Sequence, residues 1–194
     1  IYFDFSGYVD MAVGSALLLN IRLPINFDSP YSALNVREFW RKWHITLGNF
    51  FRENVYIPLG GNKKGTLIEC RNLIFTFGLV GLWHGASWTF VVWGTVHGIA
   101  VVFNLLWRQL NWEVHKFVAW FLTFLFVCVS WVFFKSSNLS IAIEMICNMF
   151  NFDNLSAVTW EVFTKSERLA FSLIVIPSII LSVIGKNTNH FMDS

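Results

Sequence analysis

Charge is what this chain has least of. Asp, Glu, Lys and Arg make up 13% of its 194 residues, about half of the roughly 25% usual for soluble domains. With 55% hydrophobic residues, 21 Phe and 10 Trp, a soluble fold of this size would have to hide most of its rings in one core. The composition instead reads as a polytopic membrane protein. A net charge of +2 excludes the strongly basic surface that draws a nucleic acid.

Cysteine is also scarce. Cys70, Cys128 and Cys147 are odd in number and lie in or beside apolar segments. They form neither a disulfide framework nor a zinc-ligand spacing, and read as small buried hydrophobes. No G-x-S-x-G string is present, so a serine nucleophile elbow is excluded. Ser87 follows His84 by three residues, but no third group is there to orient the pair. The turn-rich loop Tyr56–Gly65 lacks the Gly-Lys-Ser/Thr order of a phosphate-binding loop. The chain opens Ile1-Tyr2-Phe3-Asp4, with no initiator Met and no secretory leader pattern. It is expected to be one membrane-embedded domain over residues 1–194, part of a larger domain whose N-terminal helices are missing.

What is present is a series of apolar runs. Residues 67–83, 86–107 and 117–134 span 17 to 22 residues each, matching the ~17–25 needed to cross the hydrocarbon core. A fourth run, 169–184, carries Pro177 and is expected to kink there. Residues 139–152 read as a shorter interfacial helix. Residues 1–20 are apolar but hold Asp4 and Asp10, which must face protein or water. They are either solvated carboxylates at a helix end or the lining of a polar cavity. In the polar stretch 21–66, Asn26–Ser29 reads as a loop. Phe39, Trp40, Trp43 and Leu47 recur at helical steps and predict one amphipathic helix from Asn35 to Leu47, capped by Asn35 with Glu38 in its first turn. Its aromatic and basic sides suit the membrane interface. Eight of the fourteen Lys and Arg residues lie between Arg22 and Arg71, which puts that segment on the cytoplasmic side. The fold expected is an all-α polytopic membrane helix bundle, with interfacial or re-entrant helices around a tunnel.

The stretch Gly81–Gly98, GLWHGASWTFVVWGTVHG, sets His84 and His97 inside an apolar aromatic run. An ionisable group at membrane depth is costly and marks a functional site by default. Histidine can sit there neutral and still accept a proton. Trp83, Trp88 and Trp93 supply walls with a polar N–H, and Gly81, Gly85, Gly94 and Gly98 permit close approach. His84 either satisfies a helix-terminal carbonyl or acts as a general base. His97 either bonds a neighbouring helix or lines the substrate passage. His44, beside Arg41 and Lys42, is either interfacial or functional. No metal site is expected: thirteen residues on one helix turn His84 and His97 roughly 220° apart, and no Cys or carboxylate completes a set. Haem held between His44 and His84 has nothing in its favour.

Four strings go further: DFSGYVDMAVG (Asp4–Gly14), LPINFDSPY (Leu23–Tyr31), REFWRKWHITLGNFFRENVYIPLGGNKKG (Arg37–Gly65) and Gly81–Gly98. In their order they resemble membrane-bound O-acyltransferases, nearest the alginate O-acetyltransferase-like branch that also includes peptidoglycan and teichoic-acid acylation proteins. The resemblance is dense from Ile1 to Trp107 and looser over Ser130–Lys135. It implies a bacterial inner-membrane, multi-pass protein that acetylates a hydroxyl of an exported polysaccharide. The acyl thioester donor, acetyl-CoA or an acyl carrier, would enter from the cytoplasm as substrate, with no bound cofactor. Membrane lipids surround such a protein, a periplasmic or extracellular acetylation protein completes the reaction, and no nucleic acid is involved. The Trp-His-Gly histidine of the family falls on His84. The Trp-Arg-x-Trp-His motif falls on Trp40, Arg41, Trp43 and His44. Asp4 and Asp10 match family positions needed for activity, and Trp83 and His97 line the tunnel. The rival reading is non-enzymatic, a transmembrane conduit for acyl groups or protons.

Overall fold

The computed structural model describes residues 1–151, 173–174 and 176–184. Among these, secondary structure is helical apart from one isolated antiparallel bridge, Phe27 with Trp43. The helices are α1 (Tyr2–Leu18), α2 (Val36–Lys42), α3 (Ile45–Phe51), α4 (Thr66–His84), α5 (Trp88–Gln109), α6 (Lys116–Lys135), α7 (Leu139–Met149) and α8 (Ile176–Ile184). Three of them, α4, α5 and α6, are long and apolar enough to cross a membrane. They fall on the three expected runs to within two residues at each end. The interfacial segment expected at 139–152 corresponds to α7. Of the fourth run, Ile176–Ile184 is helical with Pro177 in its first turn, and the kink expected there involves positions outside the described residues. The rest of that run lies outside the described residues.

Helices α4 and α5 form a hairpin closed by Gly85, Ala86 and Ser87. Helix α5 starts where the Ser87 side chain accepts from Thr89 N–H. The pair is pressed together along its glycines. A Cβ on Gly94 would collide with the Phe77 carbonyl and stand 3.0 Å from Gly81 Cα, and one on Gly98 would stand 3.0 Å from Ile74 Cα. Lipid tails are as apolar as leucine, so helices in a bilayer gain from such close backbone packing rather than from hydrophobicity. Helix α6 packs beside α5, and α7 beside α6.

The expected single helix from Asn35 to Leu47 is instead two. Its start is as read: Asn35 Oδ1 accepts from Glu38 N–H at 2.9 Å, and Glu38 Oε2 reaches back to Leu34 N–H at 2.9 Å. It stops at Trp43 because the preceding loop captures the backbone there. Trp43 is extended and pairs with Phe27, Asp28 N–H donates to the Lys42 carbonyl, and Ile45 N–H donates to the Asn26 carbonyl. His44 sits between the two helices in the left-handed region, at φ 43° and ψ 55°.

Two aromatic cores meet at this break. One gathers Phe27, Ala33, Phe39, Trp43 and Val127, joined by Tyr2, Phe5 and Val9 of α1. The other gathers Leu47, Phe51, Val80 and Trp93. Trp40 and Trp131 touch both. The loop after α3 is fastened to α4 by Asn72, fully buried, whose Nδ2 donates to the Gly61 carbonyl at 3.1 Å.

Candidate active site

A non-glycine residue held in the left-handed region costs of order 1–3 kcal/mol, and such strain gathers at functional sites. Asn26 holds the turn at His44 with its side chain and its main-chain carbonyl. Asn26 Oδ1 accepts from Thr46 N–H at 3.3 Å and from Thr46 Oγ1 at 2.6 Å, and it lies 3.2 Å from His44 Nδ1. The ring rests edge-on against Phe5, centroids 4.8 Å apart, with Phe27 at 6.5 Å. Burial lowers the His44 pKa from its ordinary value, so at neutral pH the ring is uncharged.

His84 is the last residue of α4, where backbone carbonyls lose their helical partners. Its half-buried ring is walled by Trp83, Trp93 and Phe134, with centroids at 4.9, 5.3 and 5.1 Å. Neither ring nitrogen makes a hydrogen bond among the described residues, and a charge on His44 is felt at His84. Two imidazoles from segments forty residues apart in sequence thus lie within electrostatic reach of each other, each walled by its own aromatic rings. Trp83 faces outward, 57% exposed.

His97 is different. It is fully buried, with both nitrogens engaged: Trp40 Nε1–H donates to Nδ1 at 3.1 Å, and Nε2 lies 2.9 Å from Ser130 Oγ. Because Nδ1 accepts, Nε2 carries the proton and donates to Ser130, whose hydroxyl passes its own proton to the Val127 carbonyl. Of the two roles considered for His97, this geometry is that of an interhelical tie. It joins α2, α5 and α6.

Beside the histidines lies a cavity of about 320 Å³, lined among others by Arg37, Arg41, Arg52, Tyr56, Phe77 and Val80. Three guanidinium-bearing side chains line it together with Trp40 and Val80, the latter one turn before His84. Tyr56 donates to Glu69 Oε1 at 3.3 Å, and burial followed by that carboxylate pushes its pKa up to about 12. Arg41 is exposed and belongs to this cavity, while Trp43 belongs to the core beneath His44. Asp4 and Asp10 are both exposed on α1, and Asp10 lies within electrostatic reach of Tyr2. Among the described residues no three His, Cys, Asp or Glu side chains come together as a metal cage.

Two residues here escaped the sequence reading as site members. Asn26 sat inside a loop whose polar cluster signalled only a turn. Trp93 reads from sequence as a wall with a polar N–H, one of three such tryptophans, and the structure singles it out: its Nε1–H is buried without a partner among the described residues, where a buried unmet donor costs roughly 1–3 kcal/mol.

The family model for MBOAT, the membrane-bound O-acyltransferase family, matches residues 1–143. The chain belongs to the membrane-bound O-acyltransferase family. Among curated relatives, a peptidoglycan O-acetyltransferase of Helicobacter pylori is 49% identical over 213 residues, covering 100% of this chain and 40% of its own length. A probable alginate O-acetylase of Pseudomonas aeruginosa is 38% identical, covering 95% of the chain and 36% of the relative. A teichoic acid D-alanyltransferase of Streptococcus thermophilus is 31% identical over 60% of the chain and 30% of the relative. The chain therefore spans about 40% or less of the length of these relatives. The acyltransferase family match covers α1 through α6, and so contains His44, His84, His97 and the arginine-lined cavity. With three candidate spans, this member is a membrane protein.

Proposed function

We propose that this chain is the histidine-bearing part of a bacterial inner-membrane, multi-pass O-acyltransferase that acetylates a hydroxyl of an exported cell-envelope polysaccharide. The observation that carries the reading is the half-buried ring of His84, walled by Trp83, Trp93 and Phe134 with neither nitrogen hydrogen-bonded among the described residues, and an arginine-lined cavity that reaches Val80 one turn away. Support for the acceptor class comes from the relatives, whose names specify peptidoglycan, alginate and teichoic acid.

In this reading the donor is a thioester, acetyl-CoA or an acyl carrier, which approaches through the cavity with its phosphates at Arg37, Arg41 and Arg52. Guanidinium forks suit phosphate oxygens, and the apolar depth at Phe77 and Val80 suits the acyl arm. A ring nitrogen of His84 takes the proton of the acceptor hydroxyl as its oxygen attacks the thioester carbonyl. The carbonyl electrons move onto oxygen, for which Trp93 Nε1–H is the donor at hand. Collapse breaks the C–S bond, and the thiolate leaves with the proton held by His84. Holding both reactants together supplies several kcal/mol of the barrier. Asp4 and Asp10 would support the passage from α1. An extracytoplasmic acetylation protein would receive or finish the product.

The test is the purified intact protein in vesicles, given a labelled acetyl thioester and an acceptor glycan. Ester formed on the glycan supports the enzyme. Label carried across the membrane with no ester made would favour the conduit reading instead.

A further inference from the structure

The tautomer of His44 can be deduced without seeing a hydrogen. A backbone N–H can only donate, so the Asn26 atom that meets Thr46 N–H must be the carbonyl oxygen. Amide orientation, ordinarily a matter of assignment, is fixed by that contact. The same oxygen lies 3.2 Å from His44 Nδ1. An oxygen with no hydrogen can only accept, so Nδ1 carries the proton. In the neutral ring, Nε2 is then left with its lone pair.

We infer that Asn26 is a positioning residue that locks His44 as the Nδ1–H tautomer and turns Nε2 toward the reactants as a hydrogen-bond acceptor. His44 then orients the acceptor by receiving a hydrogen bond from a hydroxyl beside the reacting one, whose own proton goes to His84; it does not donate to the oxyanion. The depressed proton affinity that burial gives the ring keeps it in this accepting state at neutral pH. Asn26 is suited to the task because it holds the ring and the backbone together. Its main-chain carbonyl takes Ile45 N–H at 3.0 Å and its side chain takes both Thr46 donors, so His44 is clamped from the next two residues. The other rings against it are Phe5 and Phe27, which are uncharged, and His84 lies within its electrostatic reach. His97, whose Nδ1 accepts, has the opposite tautomer and no free nitrogen.

This inference rests on the acyl-transfer reading. Its test uses the intact protein in membranes, with acetyl transfer measured against pH for Asn26→Ala, Asn26→Asp, His44→Ala and the Asn26→Ala/His44→Ala double variant. Asn26→Ala should lower kcat about tenfold or more with the donor KM unchanged. The double variant should be no slower than His44→Ala, because residues acting through one another are not additive. Asn26→Asp keeps the accepting oxygen and so the fold. Its negative charge should move the acidic limb of the rate profile toward higher pH by about one pH unit. Additive losses in the double variant, or an Asn26→Asp profile superimposed on the parent, would overturn the assignment. So would full activity in His44→Ala. A His84→Ala control separates the failures: full activity there sinks the acyl-transfer mechanism itself, whereas an inactive control leaves it standing and confines the failure to Asn26.

Discussion

The indole N–H of Trp40 donates to His97 Nδ1 at 3.1 Å, and this one bond fixes the proton on the far side of the imidazole. It ties the short interfacial helix α2 to the membrane-crossing α5, and through Ser130 to α6. Trp40→Phe removes the donor and leaves Nδ1 buried and unmet, at a cost of roughly 1–3 kcal/mol. The unfolding midpoint in detergent should fall accordingly. A Trp40→Phe protein as stable as the parent would mean the tie contributes nothing.

Glycines in this chain should divide sharply. At Gly94 an added Cβ meets the Phe77 carbonyl and the backbone of Gly81, so Gly94→Ala should cost roughly 1–3 kcal/mol or more by forcing α4 and α5 apart. At Gly7, inside α1, nothing lies within 4 Å of the added atom. Gly7→Ala should gain about 0.5–1 kcal/mol in helix preference. Yields of folded protein from membranes for the two variants, measured side by side, check the contrast.

Acid should weaken the fold at His44. Its folded pKa lies below the ordinary 6.5 because of burial. Below that ordinary value the unfolded chain binds a proton that the folded chain resists, and stability falls as pH drops through this window. His44→Gln should therefore lose less stability than the parent between pH 7.5 and pH 5.5, each compared with itself. Equal losses would show that His44 is not the group responsible.

The legible part of this fold was the part set by length and hydropathy. Helices α4, α5 and α6 stood out as runs long enough for a bilayer, and the glycines between them as points of close contact. The break at Trp43–His44 was hidden because Phe39, Trp40, Trp43 and Leu47 keep helical spacing on both sides of it. A single left-handed residue leaves the hydrophobic period intact. What breaks the helix is backbone pairing with Asn26, Phe27 and Asp28, well upstream in the chain, and no local pattern encodes such a partner. His84 and His44 could be named from their motifs, yet the enclosure of His84 depends on rings from α5 and α6, and that of His44 on Phe5 and Phe27. The burial of His97, which makes it a tie, was likewise invisible until three helices were placed around it.

Trp93 tests whether the unmet donor is used. Replacing it with benzothienylalanine keeps the ring shape and deletes the N–H. Loss of one such donor should reduce kcat by about 10²–10³-fold, with the unfolding midpoint unchanged or raised, since no bond among the described residues is lost. Unaltered turnover would remove Trp93 from the reaction.

The account depends most on His84, the ring at the end of α4 with both nitrogens unclaimed by the described residues. The decisive measurement is acetyl transfer to the acceptor polysaccharide by His84→Gln in the intact protein, normalised to folded protein in the membrane. A drop of about 10²–10⁴-fold is predicted for the loss of a general base. Turnover at the parent rate in a properly folded His84→Gln protein would contradict it.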